Sequence, residues 1–157
     1  MSPLSIPGKV YWKTSQEFCQ ESLLDSKNKR VLLFISASSA ERLSLLSWIN
    51  ALKANSILVW IDKIPSNPTY KDIFNVLQSY YIDEAPEVII AIGGGSTIDM
   101  AKSFLALWHL KNGVKLGNRD VLNSIRTKNY LNYKQCIPIY AVPTTAGTGS
   151  EVTRWET

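Results

Sequence analysis

The chain has 157 residues, of which 45% are hydrophobic and 19% charged, with a formal net charge of +4. That is enough for one domain with a single sizeable core, and the composition excludes collagen-like and disordered classes. No run approaches the ~20 apolar residues of a membrane-spanning helix. Met1 to Lys9 lacks a basic stretch followed by an apolar one, so secretion is not indicated and a cytoplasmic protein without a membrane partner is expected.

The first apolar run, Val31 to Ile35, is continuous and rich in branched residues, the pattern of a strand buried on both faces. From Ala40 to Asn55, Leu43, Leu46, Ile49 and Leu52 recur at a spacing that predicts one amphipathic helix. A second strand is predicted at Ile57 to Ile61. The helix that follows, Thr69 to Tyr81, carries Ile73, Phe74, Leu77, Tyr80 and Tyr81 on one face. Its start is signalled twice, by Asn67-Pro68 as cap and first-turn proline and by Thr69 with Asp72 at capping-box spacing. A third strand, Val88 to Ile92, runs into Gly93-Gly94-Gly95, after which Ser96 and Asp99 offer another capping box for a helix reaching about Leu110. The last strand spans Ile137 to Val142, and Pro138 argues for a sheet edge or a strand start. Strands alternating with helices predict a Rossmann-like, doubly wound α/β fold with a mainly parallel sheet.

Cys19 and Cys136 are too few for a disulfide framework and stand apart from other ligands, so both read as buried or half-buried thiols. With His109 as the one histidine, a zinc or iron site built from this chain alone is not expected. Lys111 to Lys134 is the most basic stretch and includes Tyr130 and Tyr133. Asp120 and several Asn residues dilute it, however, so it reads as a solvated surface and no nucleic-acid partner is expected.

Two segments carry the chemistry. The glycine turn at 93–95 lies at the C-terminal end of a buried strand and the start of a helix, where exposed N–H groups and the helix dipole favour an anion. It matches neither the usual dinucleotide fingerprint nor the P-loop, and by itself serves equally as a tight strand-to-helix connection. Pro143 to Thr153 also follows a buried strand and concentrates hydroxyls and glycines suited to phosphate and ribose oxygens. Its plainer reading is an exposed Ser/Thr loop. Two such loops at one rim of a sheet favour a nucleotide cleft.

The stretch Gly93-Gly94-Gly95-Ser96-Thr97-Ile98-Asp99-Met100-Ala101-Lys102 resembles the G-G-G-S-x-x-D-x-A-K signature of iron-containing (group III) alcohol dehydrogenases. Pro143 to Thr153 is similar to that family's P-T-T-A-G-T-G-S-E-V-T, and Asp62 to Thr69 to its D-x-x-x-P-N-P-T loop, all in the family's order. The resemblance runs from about Lys9 to the last residue.

The resemblance implies an NAD(P)-linked oxidoreductase acting by hydride transfer on a small alcohol or aldehyde, in a family where homodimers are common. It implies that Gly93, Gly94, Gly95, Ser96 and Asp99 lie along the cofactor pyrophosphate and that Asn67 lines the cleft. Thr144, Thr145 and Thr153 would contact the cofactor from the opposite side. Asp99 has a competing role as a helix cap, and Lys102 would pair with it, bind phosphate or face solvent. Many NAD-preferring members carry an acid after the first strand, where this chain has Ser36-Ala37-Ser38-Ser39. Without that repulsion Ser36 is expected to tolerate a 2′-phosphate, leaning the preference toward NADP. The family's metal ligands, an Asp and three His for Fe²⁺ or Zn²⁺, belong to a C-terminal all-helical domain. The 157 residues are therefore expected to be one cofactor-binding domain, without metal or catalytic residues and inactive alone. The alternative is a stand-alone nucleotide-binding module or inactive pseudoenzyme.

Overall fold

In a computed structural model that describes Tyr11 and residues 13–111, 116–132 and 137–146, the apolar runs pair into a parallel sheet. Its strands are β1 (Arg30–Phe34), β2 (Ile57–Ile61), β3 (Val88–Gly93) and β4 (Ile139–Pro143), in the order β2-β1-β3-β4. β1 pairs with β2 from Arg30 opposite Ile57 and with β3 from Val31 opposite Val88, while Ile89 of β3 lies opposite Ile139. The α/β expectation holds, and all four C-terminal strand ends share one rim. Pro138 lies just before β4, which begins at Ile139 and is an edge strand among the described residues, and it accepts a hydrogen bond from the Ile89 N–H at 3.0 Å, in keeping with the edge position expected of it.

Helices cover both faces because β1 and β3 are apolar on both. Val31, Leu33, Ile35, Val88, Ile90 and Ile92 pack beneath α1 (Ser15–Ser26), α2 (Ala37–Arg42) and α3 (Leu46–Asn55). Leu32, Phe34, Ile89 and Ala91 pack beneath α4 (Tyr70–Ser79), α5 (Gly95–Leu107) and α6 (Asn118–Thr127). Every residue of β3 is buried, and each fully buried Val or Ile contributes roughly 1.5–3 kcal/mol of transfer free energy. Tyr80, Phe104 and Trp108 meet edge-to-face or tilted at 5.3–5.6 Å, with the Lys111 ammonium 5.3 Å from two of the rings.

Three expectations need correction. The helix predicted from Ala40 to Asn55 is two helices, because Ser44 takes a left-handed φ of 56° and Leu45 N–H returns to Ala40 O at 2.9 Å. The break resets the helical phase, so Ile49 and Leu52 are buried with Trp48 while Leu43 and Leu46 reach solvent. Tyr81 is also exposed, because α4 ends at Ser79 and Tyr80 turns to extended backbone. The capping box expected at Ser96 and Asp99 does not cap: Gly94 is the N-cap of α5, so both residues lie inside the helix. α1 was not predicted; its Thr14–Glu17 capping box is formed, with Thr14 N–H donating to the Glu17 carboxylate at 2.8 Å and Glu17 N–H to Thr14 Oγ1 at 3.2 Å.

Among the described residues no helix is long and apolar enough to cross a membrane. Cys19 is a half-buried free thiol, as expected, and desolvation raises its pKa, whereas Cys136 lies outside the described residues.

Candidate functional site at the sheet rim

The strand order places the chain's reversal between β1 and β3. The connection after β1 leads outward to β2, and the one after β2 returns across β1 to β3. The turns leaving β1 and β3 therefore open a crevice at the carboxyl rim, the usual ligand position in open α/β sheets.

The β3 side of this crevice is made by removing side chains. A Cβ on Gly93 would stand 2.3 Å from Thr97 Oγ1 and 2.7 Å from Thr97 Cβ, so only glycine lets β3 pass directly into α5. A Cβ on Gly94 would come within 3.2 Å of Thr145 Oγ1. The two rim loops thus close on each other, and Thr144 N–H donates to Gly93 O at 2.9 Å. The first intrahelical bond runs from Thr97 N–H to Gly94 O, so the preceding amides at Gly95 and Ser96 sit at the positive end of α5 without helical acceptors.

The loop between β2 and α4 supplies a third wall. Asn67 takes a left-handed φ of 53° and donates its N–H to Ser96 Oγ at 3.2 Å, tying that loop to the glycine turn. Of the two start signals for α4, the capping box is the one used. Thr69 N–H and Thr69 Oγ1 both donate to Asp72 Oδ2 at 2.7 Å, and these bonds hold the Asp72 carboxyl below its ordinary range. Asp99 pairs with Lys102 at 3.0 Å one turn further along α5, the first of the alternatives expected for Lys102.

Beyond these residues the crevice widens into a cleft of about 870 Å³ at the ends of β1 and β2. Ser36 stands in its wall and caps α2, accepting from Ser39 N–H at 3.2 Å and donating to Ser39 Oγ at 2.9 Å. Trp60, Asp62, Lys63 and Met100 also line it. Met100 lies one turn after Ser96, so the same helix borders the cleft and the glycine turn. The structure therefore brings together Asn67 with Ser96, Gly93 with Thr144 and Gly94 with Thr145, and sets Ser36 next to them along the rim. Thr153 lies outside the described residues.

Sequence reasoning missed Asp62 and Lys63 as parts of this wall. The signal was available: they follow β2 immediately, and a parallel neighbour of β1 ends at the same rim. Ala37 N–H donates to Asp62 O at 3.2 Å, joining the two turns.

The chain does not fit the iron site that its resemblance implies for the family. Three histidine ligands cannot come from a sequence whose one histidine is His109. That residue lies in a 3-10 turn (Trp108–Lys111) with Nδ1 3.0 Å from Ala106 O, and burial lowers its pKa. Among the described residues no group of three His, Cys, Asp or Glu is placed to hold a metal.

Several proteins similar to this chain are dehydrogenases. The chain is 33% identical over 106 residues to a 4-hydroxybutyrate dehydrogenase of Cupriavidus necator, covering 68% of this chain and 26% of that protein. It is 27% identical over 155 residues to an NADPH-dependent butanol dehydrogenase of Clostridium saccharobutylicum, covering 98% and 37% respectively. An iron-containing alcohol dehydrogenase structure from Thermotoga maritima superposes with a TM-score of 0.71 at 24% identity, over 96% of this chain and 40% of that one. The chain thus spans between about a quarter and two fifths of the length of these proteins. The sequence profile described as iron-containing alcohol dehydrogenase matches residues 7–157, from ahead of α1 through both rim loops, and the chain belongs to that family.

Proposed function

We propose that residues 1–157 form one cofactor-binding α/β domain that holds a nicotinamide dinucleotide along the sheet rim, serving an alcohol dehydrogenase or aldehyde reductase. The observation that carries this reading is the closure of Gly94 on Thr145, with Ser96 tied to Asn67. Thr145 Oγ1, Ser96 Oγ and the Asn67 backbone thus border the space in front of the amides opening α5. A diphosphate suits that space, because its oxygens accept from backbone N–H groups and its charge meets the helix dipole. In this reading Gly93, Gly94, Gly95 and Ser96 follow the diphosphate. Asn67, Thr144, Thr145 and Thr153 border it from the facing loops, and Asp99 orders α5 through Lys102. Ser36 faces the adenosine ribose. When bound, the dinucleotide supplies the hydride-accepting or hydride-donating ring.

The serine turn after β1 presents no carboxylate to a ribose 2′-phosphate, so NADP is accepted and preferred. The NADPH-dependent butanol dehydrogenase among the relatives is in keeping with this. Small alcohols or aldehydes are the proposed substrates of the enzyme that this domain serves, in a cytoplasmic setting. Because the iron ligands do not fit this chain, no catalytic step is assigned to its residues, and the 157 residues are proposed to bind cofactor without turning it over. Fluorescence titration with NADPH and NADH tests the reading. Saturable binding of both, tighter for NADPH, is expected; absence of binding would overturn it, and alcohol oxidation by the chain alone would overturn the assignment of chemistry elsewhere.

A further inference from the structure

We propose that the adjacent, oppositely charged residues at the tip of β2, Asp62 and Lys63, set the margin by which the cleft distinguishes NADP from NAD. This inference rests on the cofactor reading of the rim. Both residues are exposed and line the cleft wall together with Ser36 and Ser38 at the end of β1. The Ala37 N–H bond to Asp62 O holds the two turns against each other. Asp72, the other acid of the cleft, is engaged by Thr69 and belongs to a helix start. Asp62 and Lys63 make no ion pair or side-chain hydrogen bond among the described residues, and both charges stand at the cleft.

Their effects on the two cofactors have opposite signs. A carboxylate accepts hydrogen bonds from the 2′- and 3′-hydroxyls of NAD and repels the 2′-phosphate of NADP. An ammonium group attracts that phosphate and gains little from a hydroxyl. The serine turn lacks an acid, but the sheet supplies one from the next strand, so the preference for NADPH is narrowed by Asp62 and widened by Lys63. Discrimination of this kind uses a repulsive group as well as an attractive one.

The test compares dissociation constants for NADH and NADPH in the wild-type chain, Asp62→Asn and Lys63→Gln, at low and high salt. Asp62→Asn is expected to raise the ratio Kd(NADH)/Kd(NADPH) about five-fold, and Lys63→Gln to lower it by a similar factor. Both shifts should shrink at high salt, which a loss of fold would not produce. An unmoved ratio in both variants, or movement in the same direction, overturns the proposal. If Asp62→Asn fails to fold, Lys63→Gln decides alone: a lowered ratio supports the proposal and an unchanged one overturns it. Wild-type chain that binds neither dinucleotide would instead refute the cofactor reading itself.

Discussion

Two strand-to-helix turns stand side by side on the carboxyl rim and are built by opposite means. From β3 to α5 the chain turns by having no side chains: Gly93 has no room for a Cβ against Thr97. From β1 to α2 it turns by having hydroxyls: Ser36 caps the helix and meets the Ser39 N–H and Oγ. The glycine turn is fixed by contact between a buried strand and a mostly buried helix, so a change there acts on the fold. The serine turn is fixed by polar contacts at the edge of a cleft, so a change there acts on what the cleft prefers.

The sharpest way to break this contrast is Gly93→Ala. Thr97 is buried, and its Cβ would lie 2.7 Å from the new methyl, so rotating the hydroxyl gives no relief and α5 must shift. A loss of about 2–3 kcal/mol is expected, in the range of an overpacked core, and thermal or urea unfolding reads it. Unchanged stability would show that the turn is not sterically fixed. Gly94→Ala is the companion with the smaller structural effect. Its methyl would meet Thr145 Oγ1 at 3.2 Å, on an exposed side chain that can give way. Stability should fall by less than about 1 kcal/mol, while dinucleotide affinity falls on the order of ten-fold, because a methyl now stands where the diphosphate approaches. A titration in which binding survives intact would move the diphosphate away from Gly94.

How much of this was legible beforehand follows the same division. Continuous apolar runs disclosed all four strands, but the burial expected of them holds only for β1 and β3, because β2 and β4 flank them in the sheet: Ile57 is exposed and β4 is at most half-buried. Residue types marked the two rim loops, but each alone also read as an ordinary connection or surface loop, and only their meeting at one rim together with the family resemblance favoured a cleft. The phase break at Ser44 was not legible. A serine in a left-handed conformation leaves the leucine spacing intact, and only packing reveals that Leu43 and Leu46 lie off the buried face. α1 was obscured by a polar sequence in which few residues face the core, although Thr14 and Glu17 carried its start signal. Asp62 in the cleft required the pairing of β2 beside β1, a long-range fact that no local window contains.

On the serine side, Ser36→Ala should cost about 1 kcal/mol or less, since it removes the cap of a six-residue helix. The cofactor ratio should shift by only a few-fold, because Ser38 and Ser39 remain on the turn. A loss as large as that of Gly93→Ala would erase the distinction between the two turns.

The smallest expected effect comes from the third rim element, the start of α4, which combines both kinds of construction. Asp72 lines the cleft like a polar residue of the serine turn, yet its carboxylate is held by Thr69 as part of the fold. Asp72→Asn should therefore lower stability at neutral pH by about 0.5–1 kcal/mol, the usual worth of a cap, and leave the NADPH to NADH ratio where it was. The two Thr69 bonds lower the folded-state pKa below the ordinary 3.8. The unfolded chain then takes up the proton first as pH falls, so the stabilisation is full above the ordinary value and is lost as pH drops through the folded one. Melts of wild-type and variant chains should accordingly differ at pH 7 and converge in the acid range below 3.8. A difference that persists there unchanged would mean that the ionised carboxylate is not what holds the loop, and that Asp72, like Asp62, is available to the cleft.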